Sequence, residues 1–185
     1  MDNAPVTDEQ IALSVQQGNS EALAHLVERH YGSLVGYLYR MLNGNRLLAE
    51  DLAQETFLRA LRAIDRYHYP RSFKAWLYAI ATNLARSHYD RAETRYVMAG
   101  DETLERLTDD GEGIEDNLIQ QADQNRVAGL LAELPDQQRE ALILRYAQGL
   151  SIAEIASVQN VPAGTVKSRV WLGLARLKTL MDSAR

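Results

Sequence analysis

Cysteine is absent from the 185-residue chain. Disulfides and thiolate metal sites are thereby excluded, which fits a reducing compartment. Long apolar runs are missing too, so no transmembrane helix is expected. The stretch Met1–Gln10 is polar and lacks the basic-then-apolar layout of a signal peptide. A cytoplasmic protein without membrane insertion is the expectation. No segment alternates convincingly at period two, which argues against strands. There is no glycine-rich phosphate loop and no nucleophile motif. His25, His30, His68 and His88 show no metal spacing with carboxylates. No catalytic residue, metal site or cofactor is therefore expected.

What is present has helical spacing. Leu23, Leu26, Val27, Leu34, Val35, Leu38 and Leu42 recur at three and four, behind the start signals Gly18, Asn19 and Ser20. A second helix is expected from Leu47 to Ile64, set off by Gly44. A third starts near Ser72, a plausible N-cap, and carries Phe73, Trp76, Leu77, Ile80, Ala81 and Leu84 on one face. From Tyr96 to about Gln124 the pattern dissolves. That stretch is too poor in large apolar residues to offset ordering entropy, so it reads as a linker, with a short helix possible near Ile114–Gln121.

Periodicity returns at Val127, Leu130, Leu131 and Leu134. Pro135 opens the next helix, and Gly149 ends it. Ser151 and Glu154 are spaced as a capping box for a short helix bearing Ile152, Ile155 and Ala156. After a break at Gln159–Pro162, the last helix carries Val166, Val170, Gly173, Leu174 and Leu177. The expected fold is all-α: two small helical domains, 1–95 and 125–185, joined by a flexible acidic linker, 96–124.

The net charge of −5 argues by itself against a nucleic-acid partner. Its distribution argues the other way. The acids Asp101, Glu102, Glu105, Asp109, Asp110, Glu112, Glu115, Asp116 and Asp123 crowd the linker, with only Arg106 against them. Arg59, Arg62, Arg66, Arg71, Lys74, Arg86, Arg91 and Arg95 precede it, and Lys167, Arg169, Arg176 and Lys178 follow it. Two basic flanks around an acidic centre suggest polyanion contact by the flanks, the alternative being solvated helix faces.

A capped short helix, a tight turn and a second helix describe a helix-turn-helix, whose second helix enters the major groove. At about 100° per residue, Val166, Val170, Gly173 and Leu177 face the core. Ser168, Leu172 and Ala175 point away, flanked by Lys167 and Trp171 on one side and Arg169 and Arg176 on the other. Such cations pair with phosphates or guanine, and Trp171 can meet a thymine methyl or a sugar. A helical hairpin with a solvated basic face is the competing reading.

Three stretches together resemble one family. Leu134-Pro135, Ala141-Leu142, Leu150 to Ala156 and Val161 to Arg169 look like the C-terminal domain of the extracytoplasmic-function (ECF) subfamily of the bacterial sigma-70-type RNA polymerase sigma factors. Ala49 to Ala60 resembles that family's polymerase-binding helix, and Phe73 to Asn83 its promoter-melting segment. The resemblance implies a factor that binds core polymerase, through its clamp helices and flap, and directs it to promoter DNA. It places the clamp contact on Asp51, Gln54, Glu55, Leu58 and Arg59. An amphipathic helix must still bury one face, and Leu52 and Phe57 are expected there.

It places capture of the melted −10 strand on the loop Asp65–Phe73, with Tyr67, His68, Tyr69 and Arg71, and on Asn83, Arg86 and Arg91. Aromatic faces beside cations suit unpaired bases, since stacking is worth roughly 1–3 kcal/mol per base. Trp76, at a helical core position, is expected to be structural. The −35 duplex contact falls on Thr165, Lys167, Ser168, Arg169, Trp171, Leu172 and Arg176. Many relatives carry arginine where this chain has Leu172, and a serine cap where it has Pro162. An anti-sigma protein is a further implied partner. A stand-alone helix-turn-helix regulator and a polymerase adaptor that reads no DNA are the alternatives.

Overall fold

The computed structural model describes residues 6–99 and 126–183, and among these there is no strand. The expected acidic linker and its short helix therefore lie outside the described residues, apart from a helical backbone that continues to Ala99.

The first domain has four helices: α1 Asp8–Gln16, α2 Leu23–Met41, α3 Arg46–Arg62 and α4 Phe73–Ala99. α1 was not expected from the sequence. It begins with a capping box in which Thr7 Oγ1 accepts from the Gln10 N–H and the Gln10 side chain accepts from the Thr7 N–H. Ile11, Ala12 and Val15 form its buried face. Asp8 fastens it to α2, accepting from Arg29 at 2.8 Å and pairing with buried His30 at 2.7 Å. Burial pushes the Asp8 carboxyl up, but the Arg29 and His30 contacts outweigh it and leave it below its ordinary value.

α2 ends in Asn43 and Gly44, both at positive φ, and Asn45 then caps α3 by accepting from the Leu48 N–H. The inner stripe of α3 is Ala49, Ala53, Thr56, Phe57 and Ala60. Mostly small residues there let α3 lie close on α2 and α4, in a core that includes Leu34, Leu38, Leu77, Ala81 and Ala85. His30, Tyr67, Phe73 and Trp76 form an aromatic cluster at the start of α4.

The second domain comprises α5 (126–132), α6 Asp136–Leu142, α7 Ile152–Gln159 and α8 Ala163–Ser183. α6 runs on through one wide turn, Ile143–Ala147, before Gly149 at φ +70°. The Ser151–Glu154 capping box forms as its spacing implied, and Asn160 in the left-handed conformation makes the turn into α8. Val166 and Gly173 are buried against α6 and α7. A Cβ on Gly173 would stand 2.9 Å from Leu142 Cδ1 and 3.1 Å from its Cγ.

The two domains share one buried core, α7 against α4 and the wide turn against α2. Gln148 sits at the seam. It accepts from Tyr78 Oη at 2.6 Å through its side chain and from Lys74 Nζ at 2.6 Å through its carbonyl, while its Nε2 donates to the Ser33 carbonyl. Burial pushes the Tyr78 phenol to about 12, so it stays a donor. Glu140, 1 % exposed, receives Arg86 Nη2 at 2.9 Å and Arg86 Nε at 3.2 Å. Arg139 reaches across to Asn43 and also holds Asp136.

Two outcomes follow from this packing. In a helix interior, alanine gains about 0.8–1.0 kcal/mol over glycine. Overpacking a filled core costs about 1–3 kcal/mol, so Gly173→Ala should lower the unfolding free energy. Gly129→Ala, with nothing within 4 Å of the new Cβ, should raise it. Chemical denaturation of both variants checks the opposite signs.

Arg86→Ala should remove the ion-pair partner of the buried Glu140 carboxylate, leaving Gln159 and the more distant Arg169 to compensate it in part. Breaking a fully buried pair costs about 3–5 kcal/mol. Arg86 is 38 % exposed, so screening leaves about 1–2 kcal/mol. Burial raises the Glu140 pKa above 4.5 despite Arg86, so the folded chain binds the proton more tightly than the unfolded one. Stability from this group therefore falls as pH climbs from 4.5 through the raised value. Without Arg86 that window widens. Thermal unfolding should show a larger loss near about pH 8 than near about pH 5, and an equal loss at both would contradict the account.

Candidate partner and nucleic-acid interfaces

The outward face of α3 is a mixed surface. Asp51, Gln54, Leu58 and Arg59 are exposed and Glu55 is half-exposed, its carboxylate accepting from Arg59 Nε at 2.7 Å. Exposed Leu47, Leu58 and Leu61 lie among them. Phe57 is buried and Leu52 partly so, as expected for the inner face of an amphipathic helix. Charged and amide groups around exposed leucines suit a partner helix, where the leucines supply area and the polar groups set the register.

The loop from α3 to α4 divides by residue. His68, Tyr69 and Arg71 are exposed, and the Arg71 N–H closes a turn on the His68 carbonyl at 2.9 Å. Tyr67 departs from the expectation of an aromatic face for bases. It is 2 % exposed, its ring packs on Phe73 and Trp76, and its hydroxyl donates to the Arg71 carbonyl. Burial, then the nearby Glu9 carboxylate, pushes that phenol to about 12. The ring's apolar body is better placed against two aromatics than in water, so Tyr67 shapes the loop from inside. Trp76 is half-buried in the same cluster.

Along α4, Asn83, Ser87 and Arg91 are exposed one and two turns apart. Arg86 lies at the edge of this strip, half-exposed and tied to Glu140. Arg95, the last of the bases that precede the acidic stretch, has no described side chain.

On α8, Lys167, Ser168, Trp171, Leu172 and Arg176 are all exposed, Trp171 to 70 %. No acid lies among them. Thr165 is half-buried in the first turn, its N–H donating to the Pro162 carbonyl at 2.9 Å. Arg169 is placed differently from its neighbours. Its guanidinium donates to Gln159 Oε1 at 2.9 Å and to Gln137 Oε1 at 2.6 Å, tying α8 to α7 and α6. That fixes the angle at which α8 is presented, and it occupies donors that a DNA contact would use.

Sequence reasoning missed Glu9, Gln16, Glu140 and Gln148. The Thr7–Gln10 spacing signalled α1 locally, but the partners of the other residues lie far along the chain.

Residues 26–95 match the family of Sigma-70 region 2, and residues 124–177 match Sigma-70 region 4. The chain is 36 % identical over 171 residues to the ECF RNA polymerase sigma factor SigW of Bacillus subtilis, covering 89 % of this chain and 91 % of that protein. It is 32 % identical to the RNA polymerase sigma-H factor of Pseudomonas aeruginosa, over 96 % of this chain and 93 % of the other. Among solved structures it resembles CnrH, a protein of Cupriavidus metallidurans, in complex with the cytosolic domain of CnrY. That match has a TM-score of 0.75 and 26 % identity, and covers 96 % of this chain and 99 % of that one. The Bartonella quintana sigma factor RpoE, solved with the anti-sigma factor NepR, gives a TM-score of 0.68 and 26 % identity, over 88 % and 98 % of the two chains. The two helical domains, the capped helix-turn-helix and these matches agree: the chain belongs to the ECF group of sigma-70-type sigma factors, which direct RNA polymerase to promoters.

Proposed function

We propose that this sigma factor divides its work among three surfaces. The outer face of α3, with Asp51, Gln54, Glu55, Leu58 and Arg59, docks on the clamp helices of core polymerase. His68, Tyr69, Arg71, Asn83, Arg86 and Arg91 capture the melted −10 strand, with Tyr67 supporting them from inside. Lys167, Ser168, Trp171, Leu172 and Arg176 meet the −35 duplex, with Thr165 in the first turn and Arg169 bracing α8 through two of its five donors. The domains run 1–95 and 125–185, with 96–124 between them. The chain has no catalytic role of its own and acts in the cytoplasm. The observation that carries this reading is the acid-free, exposed face of α8, held at a set angle by Arg169.

The clasped arrangement is the resting form. The −10 and −35 elements lie about 25 base pairs apart, or about 85 Å at 3.4 Å per pair. One clasped body cannot span that distance, and in it Arg86 is already engaged by Glu140. The chain between Ala99 and Arg126 can span up to about 97 Å when extended, enough for that separation. Polymerase therefore has to part the domains before both elements are read, and the tether then makes the second contact effectively intramolecular. An anti-sigma partner, such as NepR is for RpoE, is proposed to act by covering the same surfaces.

Run-off transcription with core polymerase and a pool of upstream sequences from the source genome tests the assignment. Discrete starts sharing two spaced motifs are expected, and Asn83→Ala or Lys167→Ala should each weaken them by about tenfold. Polymerase binding with no transcript on any template would favour an adaptor. No polymerase binding at all would favour a stand-alone regulator.

A further inference from the structure

α1 precedes residues 26–95, the span matched by region 2, and none of the three proposed surfaces uses it. It is nevertheless tied to both ends of the loop that carries His68, Tyr69 and Arg71. Gln16 Nε2 donates to the Ile64 carbonyl at 3.1 Å and to the Tyr67 carbonyl at 3.0 Å, where the loop leaves α3. Glu9 Oε1 accepts the Phe73 N–H at 3.2 Å, where the loop enters α4. Seven residues separate Glu9 from Gln16 along α1, two turns, so both lie on one face about 10 Å apart.

Apart from the Tyr67 ring packed on Phe73 and Trp76, the loop has few bonds of its own. Its own bonds are short-range turns at Ala63–Arg66, Ile64–Tyr67 and His68–Arg71, together with the Tyr67 hydroxyl on the Arg71 carbonyl. The brace is itself anchored, because Asp8 is fastened to Arg29 and His30 of α2.

We propose that Gln16 and Glu9 are positioning residues for promoter opening: α1 braces the strand-capturing loop at entry and exit, so that Tyr69 and Arg71 are held ready for an unpaired base. A binding loop that is ordered beforehand loses less freedom on capture, and that difference appears as affinity. The inference rests on the assignment of this loop to the melted −10 strand.

The test uses holoenzyme assembled with core polymerase. Its probe is a single-stranded oligonucleotide recovered by the wild-type holoenzyme from a randomised pool. Gln16→Met keeps side-chain length and shape but removes both donors, and Glu9→Ala removes the acceptor. Each should weaken oligonucleotide binding by about tenfold, with core affinity unchanged. Glu9→Gln, which keeps an acceptor oxygen, should restore it. A merely structural role would instead lower core affinity and leave Glu9→Gln no better than Glu9→Ala. If Gln16→Met fails to bind core, the Glu9 pair decides.

Tyr69→Ala and Asn83→Ala separate the two ideas. If they weaken the oligonucleotide while Gln16→Met and Glu9→Ala do not, the brace is overturned and strand capture stands. If Tyr69→Ala and Asn83→Ala have no effect, strand capture by this loop is wrong and the brace falls with it.

Discussion

Glu140 is a carboxylate almost wholly removed from water, and an anion so placed needs a partner. The partner is Arg86, from the other domain and 54 residues earlier in the chain. Such a pair adds little net stability, because desolvation offsets most of the attraction. Its effect is on specificity. Arg86 reaches Glu140 only when α6 meets α4 in one register, and Gln148 at the same seam meets Tyr78, Lys74 and Ser33 only there. The closed arrangement of the two domains depends on these polar contacts, set into a continuous apolar core.

The clasp has a functional side. Arg86 borders the exposed strip of Asn83, Ser87 and Arg91 that faces the −10 strand in the proposed assignment. Glu140 engages Nε and Nη2 of that guanidinium, so Arg86 can turn fully to a nucleic acid only by leaving Glu140. The outer faces of α3 and α8 stay exposed in the same arrangement, so the closed chain still presents both surfaces proposed above for polymerase and for duplex DNA. A resting factor of this kind can meet polymerase first and a promoter second.

Legibility in the sequence followed distance along the chain. The Ser151–Glu154 box, Gly149 at its positive φ and the buried stripe of Val166 and Gly173 are local, and each formed as its spacing implied. The helical character of both domains was readable for the same reason. The Thr7–Gln10 box was equally local, but it sits before a single turn of apolar residues and its helix went unexpected. Tyr67 looked like a stacking surface because period alone does not show that Phe73 and Trp76 close over it. Arg169 looked like its neighbours on α8, and only the folded turn brings Gln137 and Gln159 to it. Glu140 and Gln148 carried no signal, since their partners lie 54 and 70 residues away.

The central claim is that the free chain is clasped and polymerase opens it. The absence of cysteine makes the direct measurement simple, because a label pair can be introduced without background. Spin labels at exposed His25 of α2 and exposed Thr179 of α8 would report the distance between the domains by pulsed dipolar spectroscopy. The account predicts one narrow, short distance in the free protein and a longer one once core polymerase is bound. A broad distribution in the free chain, or the same short distance in the holoenzyme, would contradict it.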